Sequence, residues 1–172
     1  MLAPTITLET TLAIREMNRE DIPAVREMAG RIWRTHYVPD IVTAEQIEYM
    51  LPRLYSDEAI LRNLIEKKQR FWLLYSGELL LGYAAVEPKG NQVWFIDKLY
   101  VDMDNQRLGL GSTLLAHILS QLHPAALTLR VNRKNFKAIN FYFKHGFYIE
   151  ALDVLDIGGG FVIDDFLMKK IL

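Results

Sequence analysis

Between a strand-like run, Val93 to Val101, and a helical run that begins near Gly109 stands the segment Gln106-Arg107-Leu108-Gly109-Leu110-Gly111-Ser112, whose residue types suit the holding of an anion. Glycines without a Cβ let backbone approach a phosphate closely. The first N–H groups of the following helix have no partner inside it and point outward beside the positive end of its dipole. A diphosphate fits such a cradle. The nucleotide P-loop needs G-x-x-x-x-G-K followed by Ser or Thr, and the chain contains no Gly-Lys pair. The dinucleotide fingerprint needs a third glycine where Leu114 stands, and an acid about 20 residues on, where Leu129-Arg130-Val131 is found. The pattern that remains is Q-x-x-G-x-G. Downstream, Asn135-Phe136-Lys137-Ala138-Ile139-Asn140-Phe141-Tyr142-Phe143-Lys144-His145-Gly146-Phe147 reads N-x-x-A-x-x-F-Y-x-x-x-G-F.

Taken together and in this order, the two segments resemble the coenzyme A loop and the following helix of the GNAT acyltransferases, and the resemblance covers roughly residues 12 to 172. It implies acetyl-CoA as co-substrate. The N–H groups of Arg107, Leu108, Gly109, Leu110, Gly111 and Ser112 would hold its pyrophosphate, with Gln106 fixing the loop and the Arg107 guanidinium adding a charge-assisted contact. The backbone of Leu99, Tyr100 and Val101 would pair with the pantetheine arm as a strand edge pairs with a peptide. Asn135 would either cap its helix or bond the coenzyme arm.

Acetylating an amine poses two acid–base problems. An alkylammonium of pKa about 10.4 is no nucleophile, and a departing thiolate of pKa about 8.5 leaves better when protonated. Tyr142 resembles the family's usual donor to the thiolate, its phenol being protonated at neutral pH. Asp97, two residues before Leu99 and so expected on the same side of the strand, is the candidate base, with a water chain as its rival. A backbone N–H near Leu99 or Tyr100 would hold the developing oxyanion if a bulge separates the strands there.

The acceptor would meet the connection between the first two helices and the last hairpin. There Trp33 and Tyr37, with Asp164 and Asp165, suit an organic cation through ring faces and charge, which resembles the polyamine branch of the family. The implied activity is direct acetyl transfer, in a ternary complex, to a primary amine of a polyamine-like small molecule or of a protein N-terminus. The alternative is a non-catalytic acyl-CoA-binding regulatory module. His36, His117, His123 and His145 have no metal-binding spacing, so no metal is expected.

With 172 residues and 51% hydrophobic content the chain suits a single domain over 1–172, able to bury a substantial core. Twenty basic against 21 acidic residues, net −1, give no field to draw in nucleic acid or an anionic membrane. The absence of cysteine excludes a disulfide framework, a thiolate metal site and transfer through an enzyme thiol. Met1 to Thr10 lacks the charge and apolar pattern of a leader, and no run of about 18 apolar residues occurs, so a cytoplasmic monomer or homodimer is expected.

The elements that must position these residues follow from periodicity. Leu12 to Arg15 alternates as a strand; Asn18 or Asp21 then offers an N-cap, and Val25, Met28, Ala29 and Ile32 share one helical face. Thr43-Ala44-Glu45-Gln46 reads as a capping box before a helix that Pro52 disturbs, and Ser56 to Lys67 suits a third helix. Strands are expected at 71–75, 79–86 and 92–101, a helix at 109–122, a strand from Ala125 to Val131, a helix from Asn135 to His145, and a hairpin of Phe147 to Ile157 with Phe161 to Lys170. The order β-αα(α)-βββ-α-β-α-ββ is an α/β fold: a mixed, mostly antiparallel sheet flanked by helices, as the resemblance also implies.

Overall fold

The computed structural model describes residues 11–102 and 109–172. The predicted order is found: β1 (Leu12–Glu16), α1 (Ile22–His36), α2 (Ala44–Tyr55), α3 (Asp57–Ile65), β2 (Arg70–Ser76), β3 (Leu79–Pro88), β4 (Val93–Val101), α4 (Leu110–Leu122), β5 (Ala126–Asn132), α5 (Phe136–Lys144), β6 (Tyr148–Gly158) and β7 (Phe161–Ile171). All seven strands join one sheet in the order β1-β2-β3-β4-β5-β7-β6, antiparallel throughout except between β4 and β5.

Both faces of the central strands are covered, which is why β2 reads as a continuous apolar run rather than an alternation. Phe71 and Leu73 pack with α1, α2 and α3, whereas Trp72 and Leu74 pack with α4 and α5. Helix caps follow the chemistry of short polar side chains. Thr43 Oγ1 accepts the Gln46 N–H at 3.2 Å and Ser56 Oγ the Ala59 N–H at 3.2 Å. Pro52 sits in the last turn of α2, which runs on to Tyr55. Asn18 introduces a short 3-10 turn, Arg19–Asp21, rather than α1 itself, and α3 ends at Ile65, two residues before the expected Lys67.

Two ties set the walls of the site. Arg31 of α1 pairs with Asp102, just past β4, at 2.7 Å. On the far side Tyr49 of α2 donates to the Ile157 carbonyl at 2.9 Å and lies against the glycine turn, so closely that a Cβ on Gly159 would come within 2.7 Å of its ring. The Tyr49 ring therefore holds the hairpin to α2. Among the described residues, no helix is long and apolar enough to cross a membrane.

Candidate active site

The site begins at an irregularity in β4. Ala85 pairs with Lys98 but Val86 pairs with Ile96, which leaves Asp97 as an extra residue in a β-bulge. A bulge bends its strand and adds local twist, and here β4 leaves its parallel neighbour. Pairing of β4 with β5 runs from Val93↔Ala126 to Ile96↔Leu129 and stops. The edge of β4 from Asp97 to Val101 is thus turned toward a notch in the sheet rather than toward another strand. The bulge also breaks the period of two. Ile96 and Leu99 pack on the α4–α5 side, while Lys98 and Tyr100 belong to the α1–α3 side.

Asp97 therefore does not share a face with Leu99, contrary to the simple alternation. Its carboxylate is held by the Lys98 ammonium and by Gln69 Nε2, the latter at 3.1 Å. Burial pushes its pKa up, but Lys98 and Gln69 outweigh burial and hold it below the ordinary carboxylate range. Lys98 is 5% exposed and lies over the rings of Tyr55 and Phe71. Removing Asp97 strands that ammonium, so Asp97→Ala should cost about 1–3 kcal/mol of stability in chemical denaturation at neutral pH. Because the folded pKa is depressed, this contribution is present above the unfolded value near 4 and is lost as pH falls below it, so wild type and variant should converge in acid.

A cavity of about 340 Å³ opens through the notch. At one end are Gly109, Gly111 and Ser112. Gly109 caps α4 with φ +73°, a conformation that L side chains rarely adopt, and a Cβ there would project into open space. The Thr113 N–H bonds the Gly109 carbonyl at 3.0 Å, so Leu110, Gly111 and Ser112 are the first-turn residues whose N–H groups have no carbonyl within the helix. Leu110 contributes only backbone here, its side chain being 1% exposed in the core. Gly111 lets α5 close on α4, since a Cβ would stand 3.2 Å from the Phe141 ring. Ser112 Oγ shares a hydrogen bond with His145 Nε2 at 2.9 Å. Gln106, Arg107 and Leu108 lie outside the described residues.

Mid-cavity, α5 supplies Asn135 and Tyr142. Asn135 Oδ1 accepts the Ala138 N–H at 3.1 Å, which settles its capping role and leaves its amide hydrogens beside Tyr37. Tyr142 is 8% exposed, with its ring edge-on to Phe141 and Phe147. Burial, and then the neighbouring Tyr37, push its phenol well above its usual range. The phenol therefore stays protonated at neutral pH.

The α1–α2 side of the cavity is aromatic. Trp33 stacks on Tyr37 at 5.6 Å, and Tyr37 meets the Tyr100 ring at 6.5 Å. Asp165 of β7 closes this wall, 9% exposed, with its pKa pushed up to about 6 by burial, against which Arg130 and Asn132 pull down and Asp153 and Asp164 push further up. Asp164, one residue away, is on the other face of β7 as strand alternation requires. It is half exposed, pairs with Arg133 at 3.1 Å and does not line the cavity. Of the two hairpin acids only Asp165 reaches the site. Trp33, Tyr37, Leu99, Tyr100, Val101, Gly109, Gly111, Ser112, Asn135 and Tyr142 all line the cavity, and Asp97 touches it from the bulge. Arg130 and Asn132, on the same face of β5, line it too and carry no motif that marks them in the sequence. Only the knowledge that β5 ends at the notch identifies them.

The arrangement joins a helix start whose first N–H groups have no helical partner, an unpaired strand edge, a buried phenol and an aromatic pocket with one carboxylate. The sequence of residues 27–147 matches the Acetyltransferase (GNAT) family. The chain is 30% identical over 151 residues to the probable N-acetyltransferase Rv2775 of Mycobacterium tuberculosis (strain ATCC 25618 / H37Rv), covering 83% of each protein. It is 28% identical over 138 residues to the peptidyl-lysine N-acetyltransferase YiaC of Escherichia coli (strain K12), covering 79% of this chain and 83% of that one. Among solved structures it is similar to the PaiA N-acetyltransferase of Thermoplasma acidophilum in complex with coenzyme A, with a TM-score of 0.79 and 25% identity over 94% of this chain and 99% of that one. The chain belongs to the GNAT family and is an acetyl-CoA-dependent N-acetyltransferase.

Proposed function

We propose that the enzyme transfers the acetyl group directly, within a ternary complex, to the primary amine of a small, polyamine-like cation. The observation that carries this reading is the single cavity that runs from the start of α4, past the free edge of β4 and Tyr142, to the pocket of Trp33, Tyr37 and Asp165. The N–H groups of Leu110, Gly111 and Ser112 would hold the diphosphate, with Gln106, Arg107 and Leu108 completing the loop, and Leu99 to Val101 would pair with the pantetheine arm. Acetyl-CoA supplies an activated acetyl thioester. Tyr142 returns a proton to the departing sulfur, and Asp97 supports the bulge through Lys98. Without a cysteine in the chain, no enzyme thiol carries the acetyl group.

Charge selects the acceptor. The reacting ammonium meets the Asp165 carboxylate, and a second ammonium, held away from it, finds the ring faces of Trp33 and Tyr37. Initial rates on spermidine, a simple monoamine and a neutral amino acid, each at two salt concentrations, test the reading. Spermidine should be preferred, and the preference should persist at high salt, because Trp33 and Asp165 are buried and salt screens a buried charge much less than an exposed one. Equal rates on all three amines contradict it.

An amine carried by a polypeptide, a protein N-terminus or a lysine, is the second reading. The likeness to YiaC, a protein named for peptidyl-lysine, favours it, since a lysine side chain presents the same ammonium on an aliphatic stem. A lysine-bearing peptide in the same panel separates the two readings.

A further inference from the structure

We infer that Asp165, rather than Asp97, accepts the proton that the acceptor ammonium must lose before it attacks. The inference rests on the proposed acetyl transfer to an amine, and it starts from register. Leu129 pairs with Ile96 across the last rung between β4 and β5, and three rungs further on, counting Asp97 as the extra residue of the bulge, the two strands reach Asn132 and Tyr100. Asn132 pairs with Asp165. The carboxylate thus stands across the notch at about the level of Tyr100, on the α1–α2 side where the aromatic pocket lies.

Its surroundings leave it available for a proton. Arg130 from β5 is taken by Asp153 from β6, and Asp164 on the same strand is taken by Arg133. His36 at the end of α1, Tyr37 just past it and Lys137 of α5 face the same cavity. Among the described residues no cation stands in ion-pair contact with Asp165. Asp97, in contrast, is neutralised by Lys98 and fixed by Gln69. A base works best with a pKa near the working pH, and Asp165, pushed up to about 6, meets that condition where the depressed Asp97 does not.

In the proposed step the ammonium gives one proton to the Asp165 carboxylate, directly or through one water, and the freed nitrogen lone pair forms a bond to the acetyl carbon. The carbon–sulfur bond breaks, and the sulfur leaves with its electron pair and takes the Tyr142 phenolic proton. The second proton of the former ammonium, now on the amide nitrogen, is lost through solvent to Tyr142. Asp165 then releases its proton to bulk water, so one ammonium and one thioester give one amide, one thiol and one proton.

The test is Asp165→Asn, which keeps the shape and hydrogen-bonding capacity of the side chain, measured against wild type for amine-dependent thiol release from pH 5 to 9. The expected result is a fall in kcat of about 100-fold or more, an unchanged thermal shift on adding acetyl-CoA, and the disappearance of an acid limb near pH 6 that wild type shows. The limb runs downward with falling pH because the protonated carboxyl cannot accept. Asp165→Glu should recover part of kcat and restore the limb. An Asn variant that keeps the wild-type kcat, that loses only KM, or that retains the limb overturns the assignment. A wild-type enzyme with no turnover on any amine overturns the proposed function and this assignment together; normal wild-type turnover with an unaltered variant overturns the assignment alone.

Discussion

Replacing Tyr142 by phenylalanine should lower kcat by about 10- to 1,000-fold while leaving the affinity for acetyl-CoA nearly unchanged. The variant removes one oxygen and its proton. The ring remains to fill the space between Phe141 and Phe147, so the core of α5 is not opened. What is lost is a phenolic proton that burial keeps in place at neutral pH and that the proposed mechanism gives to the departing thiolate. Steady-state kinetics with saturating acetyl-CoA, together with a thermal shift on the coenzyme alone, separate the two effects. Wild-type turnover in the variant would refute the donor role.

The second large effect is expected at Gly109. Wild type should be stabilised by acetyl-CoA and not by NAD or ATP, and at a ligand concentration 100 times Kd the linkage amounts to about 2.7 kcal/mol, which a thermal melt resolves. Gly109→Val should abolish the shift. The valine side chain would enter the open space before the first turn of α4, and a β-branched residue at φ +73° is strained in addition. The unliganded variant should melt lower for that reason, so the quantity to compare is the ligand-induced difference within each protein. A full acetyl-CoA shift in the variant, or an equal shift of wild type with ATP, would argue against a coenzyme diphosphate at this turn.

Much of this architecture is legible in the sequence because local rules decide it. The 3.6-residue spacing of Val25, Met28, Ala29 and Ile32 buries one face of α1, and Thr43 and Ser56 stand at the starts of α2 and α3 because their oxygens meet N–H groups that have no helical partner. The glycine spacing at 109 and 111 and the Phe-Tyr pair at 141 and 142 place the start of α4 and the inner face of α5 beside the cavity, where the structure also has them. What could not be read depends on partners distant in the chain. The bulge at Asp97 exists only as a mismatch between β3 and β4, and without it alternation puts Asp97 on the wrong face. Asp164 and Asp165 look equivalent in sequence, yet one residue of offset sends the first to Arg133 in solvent and the second into the site. Lys98, an ordinary strand lysine by type, is a buried charge whose partner is its own neighbour.

The central claim, that one cavity brings acetyl-CoA and an amine together for direct transfer, is tested most directly by thiol release from acetyl-CoA by the purified enzyme, with and without a primary amine. The account predicts release that depends on the amine, saturates with it, and is matched by an equal amount of N-acetylated product. Release at the same rate with every amine and with none, or tight acetyl-CoA binding without any acetylated product, would contradict it.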